Sequence, residues 1–278
     1  MKIYRAIGVM LLLWLIPFSG ITEPNCNVYK MDNNLPCYEA CVLATEGGGV
    51  QGSRTSQENF DQAIAQCPAL DYAYMEKSVP YLKRGDFITW KKHIDKAVEL
   101  NPTLHLGYRG WCRYQFLRDY SGAIRDFEQL EKLLPLEIGY SQNGDYHLTI
   151  AKALCYKGLG KKQKAVEIIE TQLNKKGYSP GLYEYLHLGV LKMELGDLDD
   201  AIRWLNKSIS TNDYFAEAYF YLAEVHKAKK SPKLQEENLI KAKQYYKKEY
   251  RRKDPYVHPM DQIFLTNIET QLTYISKK

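Results

Sequence analysis

Apolar and polar positions along the chain predict pairs of amphipathic helices. Apolar side chains recur at helical spacing in Phe60–Ile64 and again in Ile94–Val98. A proline follows each stretch and a third closes the next one, so that Pro68, Pro102 and Pro135 lie 34 and 33 residues apart. Because proline cannot continue a helix, this spacing predicts a repeating helix–turn–helix unit of about 34 residues.

The predicted units share further positions. Each first helix has a small residue that lets its partner helix approach closely, at Ser78, Gly110, Ala153, Gly189 and Ala223. The turns that follow contain Gly85-Asp86 and Gly196-Asp197, in which glycine ends one helix and aspartate caps the next. An alanine then opens the second helix, at Ala123, Ala165 and Ala201.

Four or five such matches in register make the chain similar to the tetratricopeptide-repeat family over about residues 35–254. The resemblance implies an all-α, right-handed superhelical α-solenoid of about five to six helix-turn-helix repeats with a C-terminal capping helix, 259–276, that begins at Pro259. Four departures are expected: Trp90 in place of the alanine, a longer link at Leu136–Asp145, an insertion around Ser231–Lys233 and a degenerate first unit over about 35–68. The predicted divisions are a signal peptide (1–22), a cysteine-rich cap with a degenerate repeat (23–68), repeats (69–213), a degenerate last repeat with a basic stripe (214–254) and a capping region (255–278).

In this family the first helices line a concave groove that grips partner peptides or helices. By matching positions, the resemblance assigns to this groove Tyr72, Met75, Val79, Trp111, Tyr114, His147, Ile150, Tyr183, Leu186, Val190 and Phe220. Trp111 and Tyr114 are expected to be exposed and to anchor the partner. The alternative is that several of these side chains are core residues between units. The family's Lys/Asn/Arg carboxylate clamp is not found.

The first residues predict export. Lys2 and Arg5 precede an apolar run, Ala6–Ile16, that Pro17 closes. This is the layout of a secretory signal peptide, and the run is shorter than the roughly 20 apolar residues of a membrane helix. An uncleaved anchor is the alternative. We therefore expect a location in the periplasm, the cell envelope or outside the cell.

Six cysteines agree with an oxidising compartment. Cys37 near the start of one helix and Cys67 near the end of its antiparallel partner are expected to pair, with Cys26 and Cys41 as the companion pair. Cys112 and Cys155 fall within helices and are expected to be buried free thiols. No CxxC pair or close histidine pair is present, so a zinc site is not expected.

The net charge of +5 is concentrated in one segment. Residues 227–253 contain eleven Lys/Arg and three acidic residues, together with interleaved tyrosines. The residues of this basic stripe that matter most are expected to be Lys243, Lys247, Lys248, Arg251 and Arg252. Peripheral contact with an anionic membrane surface or an acidic partner is the alternative function. Nucleic acid is not expected as a partner of an exported protein, and the stripe could also be an ordinary solvated face.

Catalytic motifs are absent from the sequence. It has no HExxH, GxSxG, P-loop or GxGxxG, and its six histidines are dispersed. We therefore predict a scaffold that binds a protein or peptide partner, without catalysis, cofactor or metal.

Overall fold

The computed structural model describes residues 23–46, 49–212 and 215–277. The predicted signal peptide lies outside these residues. The described part is built of fourteen α-helices and contains no named strand. Their bounds are α1 Asn27–Met31, α2 Leu35–Glu46, α3 Arg54–Gln66, α4 Asp71–Lys83, α5 Phe87–Leu100, α6 Pro102–Cys112, α7 Tyr120–Leu133, α8 Leu148–Gly158, α9 Lys162–Leu173, α10 Glu184–Glu194, α11 Leu198–Thr211, α12 Ala216–Ala228, α13 Pro232–Lys247 and α14 Leu265–Ser276. A π-helical turn, Arg113–Leu117, extends α6.

Helices α2 to α13 pack as six successive helix pairs, which confirms the expected helical-repeat architecture. The second helices α5, α7 and α11 begin where the sequence predicted, each after a capping aspartate. The side chains of Asp86, Asp119 and Asp197 each accept a hydrogen bond from a backbone N–H in the first turn of α5, α7 and α11. Close packing within pairs also follows the prediction, since a Cβ added at Gly189 would lie 2.7 Å from Leu205.

The turn between α12 and α13 corrects one expectation. Only Lys229, Lys230 and Ser231 separate these helices, as many residues as separate α10 from α11, so there is no insertion at Ser231–Lys233. Lys230 has φ 55°, in the place where Gly196 has φ 86°. A lysine thus takes the left-handed conformation that glycine takes in other turns. Because this turn has no glycine, the sequence did not identify it as an ordinary turn.

The first helices of the pairs lie on one side of the array. Backbone approaches between alternate helices occur at α2–α4, α6–α8 and α10–α12, all of them first helices. We call the surface formed by α4, α6, α8, α10 and α12 the inner face.

The capping helix starts later than predicted. Pro259 is not its first residue, since α14 begins at Leu265. Residues 251–262, here called the crossing segment, instead run without regular structure across the inner face. Asp261 has φ 63°, a conformation that does not continue a helix. Ile268 of α14 then packs into an apolar cluster with α12 and α13.

Both expected disulfides are formed, between Cys26 and Cys41 and between Cys37 and Cys67. They hold α1, α2 and α3 together around a small apolar cluster. Cys112 and Cys155 are buried free thiols. None of the helices in the described ranges has the length and apolar character needed to cross a membrane.

Candidate functional site

The inner face contains a pocket of about 360 Å³ between α4, α6 and the crossing segment. This volume lies at the lower end of the range of small-ligand and side-chain pockets. Its lining combines apolar side chains from α4 and the extended α6 with polar groups at the rim. The lining residues are Gln51, Glu76, Val79, Leu82, Lys83, Tyr108, Trp111, Cys112, Gln115, Phe116, Gln142, Asn143 and Asp254.

An aromatic file leads away from the pocket along the inner face. Trp111 contacts Tyr146 at a ring-centroid distance of 5.5 Å, Tyr146 contacts Tyr183 at 5.6 Å, and Tyr183 contacts Phe215 at 5.7 Å. Tyr183 and Phe215 lie immediately before a first helix, and Tyr146 lies two residues before one. The file joins the pocket to the C-terminal units.

The sequence predicted an exposed groove lining, and the structure corrects most of it. Trp111 and Tyr114, expected to be exposed, have exposed fractions of 5% and 0%. Met75, Val79, His147, Ile150, Leu186, Val190 and Phe220 are also buried. Only Tyr72 and Tyr183 of the set are partly exposed. Most of these side chains pack between neighbouring units, the alternative that the sequence left open, whereas Val79 and Trp111 also line the pocket.

The error amounts to about one residue of helix rotation. Along α6 and its π-helical extension the predicted positions were Trp111 and Tyr114, while the pocket is lined by Tyr108, Trp111, Cys112, Gln115 and Phe116. On α4 the pocket adds Glu76, the residue after the predicted Met75. One residue turns a helix face by about 100°, so a partner-facing stripe and an inter-unit stripe lie side by side. The spacing of apolar residues in the sequence identifies the stripe that packs between units and not the stripe that faces a partner.

Polar groups at the pocket rim are only partly paired with one another. Burial raises the pKa of the Glu76 carboxyl, against the smaller opposing effects of Gln51 and Lys83. Lys83 Nζ donates to Gln51 Oε1 at 2.5 Å. Gln115 is buried, and its Oε1 has no hydrogen-bond partner among the described residues. A pocket with an apolar floor and such a rim suits a side chain with a polar end.

Arg252 anchors the start of the crossing segment to the inner face. It is only 5% exposed, so its assignment to a surface stripe was wrong. Its guanidinium lies 4.4 Å from the Tyr183 ring centroid and donates to the hydroxyl of Tyr146 and to the carbonyl of Met260. Its backbone N–H donates to Glu217 Oε1 at 2.9 Å. Arg252 thus contacts three successive units, two through its guanidinium and the third through its backbone N–H.

Asp261 anchors the end of the crossing segment. Its carboxylate accepts from His187 Nδ1 and from Lys157 Nζ, both at 2.6 Å. His187 Nε2 lies 2.8 Å from the Tyr146 hydroxyl. Because Nδ1 donates to the carboxylate, Nε2 of a neutral ring is free to accept. Burial lowers the pKa of His187 to about 4, since the charged ring would lose solvent and face Arg252.

Tyr146, His187 and Asp261 form a hydrogen-bonded chain, but none of their side chains is more than 7% exposed. A substrate has no access to them in this arrangement. Elsewhere in the described residues, no three His, Cys, Asp or Glu side chains come together as a metal site would require. The expectations of no catalysis, no cofactor and no metal remain predictions.

The basic stripe is partly neutralised by its neighbours. Lys243 pairs with Glu269 at 2.9 Å, and Arg251 pairs with Glu249 at 3.1 Å. Lys247 and Lys248 are exposed at the end of α13. A stripe that looks uniform in sequence therefore contains a buried anchor, paired charges and solvated lysines.

Comparisons with known proteins agree with the helical-repeat architecture. Residues 185–214 match the family model described as a tetratricopeptide repeat. The structure of PilW, a widely conserved type IV pilus biogenesis factor, aligns with a TM-score of 0.60 at 15% identity, over 84% of this chain and 98% of that one. PilF of Pseudomonas aeruginosa aligns with a TM-score of 0.55 at 13% identity, over 80% and 96%. At these identities the likeness concerns the fold.

A curated relative matches part of the sequence. The SGT1 homolog of Oryza sativa subsp. japonica is 28% identical over 112 residues. That match covers 40% of this chain and 28% of the relative, so the chain spans less than a third of the protein it resembles.

Proposed function

We propose that the chain is an exported, non-catalytic tetratricopeptide-repeat scaffold. It binds a partner protein or peptide through its inner face. The family fold supports a role in protein interaction. The observation that carries the proposal is the pocket beside α4 and α6, which the described residues leave unfilled. A partner side chain inserted there would contact Val79, Leu82 and Phe116.

Export is supported by two independent features. The basic start and apolar run of residues 1–22 have the form of a secretory signal. The two disulfides near the N-terminus suit an oxidising compartment. PilW is described as a type IV pilus biogenesis factor, and a cell-envelope location of this chain is part of the same proposal.

The test uses residues that a partner could touch, in place of the buried Trp111. Phe116 is partly exposed in the pocket, and Lys83 is exposed at its rim. We expect a Phe116→Ser, Lys83→Ser variant to lose a protein that crosslinks to the wild-type chain in its native extract. Ile88→Ser is the matched control, because Ile88 is 87% exposed on the second helix α5.

The comparison requires that all three proteins fold equally, which circular dichroism establishes. Loss of one crosslinked protein from the pocket variant alone would support the proposal and identify the partner. Equal capture by the wild type, the pocket variant and the control would contradict a role for the pocket.

A further inference from the structure

The crossing segment lies on the inner face where a bound peptide would lie in the proposed function. It has no helix or strand of its own, and its side chains and backbone contact five successive units, from the one that begins with α4 to the one that begins with α12. Arg252 and Asp261 contact the units that begin with α8, α10 and α12. Between them, the Tyr256 ring lies 6.4 Å from Phe116, and Arg118 donates to the His258 carbonyl.

The segment is held by polar contacts at its two ends and by apolar packing of Pro259 and Met260. Arg252 and Asp261 bind buried partners on the first helices and on the loop before α8. Between the anchors, Lys253, Pro255, Tyr256 and His258 are exposed, and Tyr256 has an exposed fraction of 52%. Buried ionic contacts often stabilise less than apolar packing of the same volume, because both charges lose water. Opening the segment would return these charges to water and would uncover apolar surface at Pro259, which is buried, and at Met260, which packs against the main core cluster.

The middle of the segment also borders the open pocket. Asp254 lines the pocket, and its carboxylate accepts from the backbone of Tyr256 at 2.8 Å. The pocket and the crossing segment are thus neighbouring parts of one surface. A ligand that extends from the pocket toward the C-terminal units would meet the crossing segment.

We propose that residues 251–262 are an intramolecular ligand of the inner face, and that a partner's extended segment with an arginine and a carboxylate competes with them. The arginine of the competitor would stack on Tyr183 and donate to Tyr146, and its carboxylate would bind Lys157 and His187. The competing partner rests on the proposed function, whereas the releasable segment stands on the contacts above.

Hydrogen exchange of the full-length wild-type protein tests whether the segment opens by itself. We expect its amides to exchange roughly 100-fold faster than those of α10, through an opening that does not involve global unfolding. Asp261→Asn weakens both bonds of the second anchor and should speed exchange of the segment by at least about another 10-fold, with α10 unchanged. Lys248→Met, on an exposed residue outside the network, is the control and should change neither rate.

A synthetic peptide of residues 249–264 is the probe for competition in trans. We expect the labelled peptide to bind the Asp261→Asn protein at least about 10-fold more tightly than the wild type, whose site is occupied. A peptide with asparagine in place of Asp261 should bind the variant more weakly than the native peptide.

Two results would overturn the proposal. One is exchange of residues 251–262 at the rate of α10 in the wild type, which would make the segment an integral part of the fold. The other is that the peptide fails to bind the Asp261→Asn protein although hydrogen exchange shows that its crossing segment is released. Neither result depends on the pocket variants, so the scaffold function can fail or succeed separately.

Discussion

The two ends of the array are closed by different chemistry. At the N-terminal end, two disulfides join α1, α2 and α3 around a small apolar cluster that includes Phe60 and Leu70. At the C-terminal end, the last helices are tied back to the middle units by buried side chains of the crossing segment. A terminal repeat must protect a face that interior repeats cover with a neighbour.

These two kinds of closure differ in whether they can open. A disulfide acts through the unfolded chain and cannot open without a reductant. An anchor of hydrogen bonds and ion pairs can open and reform at equilibrium, and it responds to protonation. We therefore expect a fixed N-terminal end and an adjustable C-terminal end.

The largest effect is expected from the Cys37–Cys67 disulfide, whose cysteines are 30 residues apart. Loop-closure entropy gives about 4 kcal/mol of stabilisation for such a loop, against about 3 kcal/mol for the Cys26–Cys41 pair. A Cys37→Ser, Cys67→Ser protein should unfold at lower denaturant concentration, with faster hydrogen exchange confined to α2 and α3. If hydrogen exchange also became faster in residues 251–262, the two ends would be coupled, and the contrast between a fixed end and an adjustable end would be wrong.

An intermediate effect is expected from acid at the C-terminal end. His187 has a folded-state pKa of about 4, below its ordinary value near 6.5. As pH falls below 6.5, the unfolded chain takes up a proton at His187 before the folded chain does. The contribution of this group to the free energy of unfolding, about 3 kcal/mol, is therefore complete above pH 6.5 and is lost as pH falls to about 4. Glu217 acts in the opposite sense, because burial raises its pKa to about 7 and its contribution is lost as pH rises through that value.

A direct titration separates the two groups. We expect the His187 ring signals in NMR to titrate near pH 4 in the wild type. Arg252→Met removes the neighbouring cation and opens the site to water, so the pKa of His187 should rise toward its ordinary value. The same midpoint in both proteins would show that Arg252 does not govern this histidine.

The repeats, their turns and the disulfide pairs could be predicted because each depends on short-range spacing. Gly85-Asp86 and Gly196-Asp197 mark turns by local backbone chemistry, and Cys37 and Cys67 belong to one helix pair. The C-terminal anchors leave no such signal. Tyr146 and Arg252 are 106 residues apart, and His187 and Asp261 are 74 apart. Nothing in the spacing of a lysine-rich run distinguishes its one buried arginine from its solvated lysines.

The smallest effect should come from that same run. Lys248 is exposed beyond α13, four residues before Arg252. Lys248→Met should leave the free energy of unfolding within about 0.5 kcal/mol of the wild type, as is usual for surface substitutions. Arg252→Met should cost several times more, because Tyr146 and the Met260 carbonyl lose their donor in a buried site. Parallel urea unfolding of the two variants measures the contrast. Equal shifts would mean that Arg252 contributes only as a surface charge and that the C-terminal end is held by α14 alone.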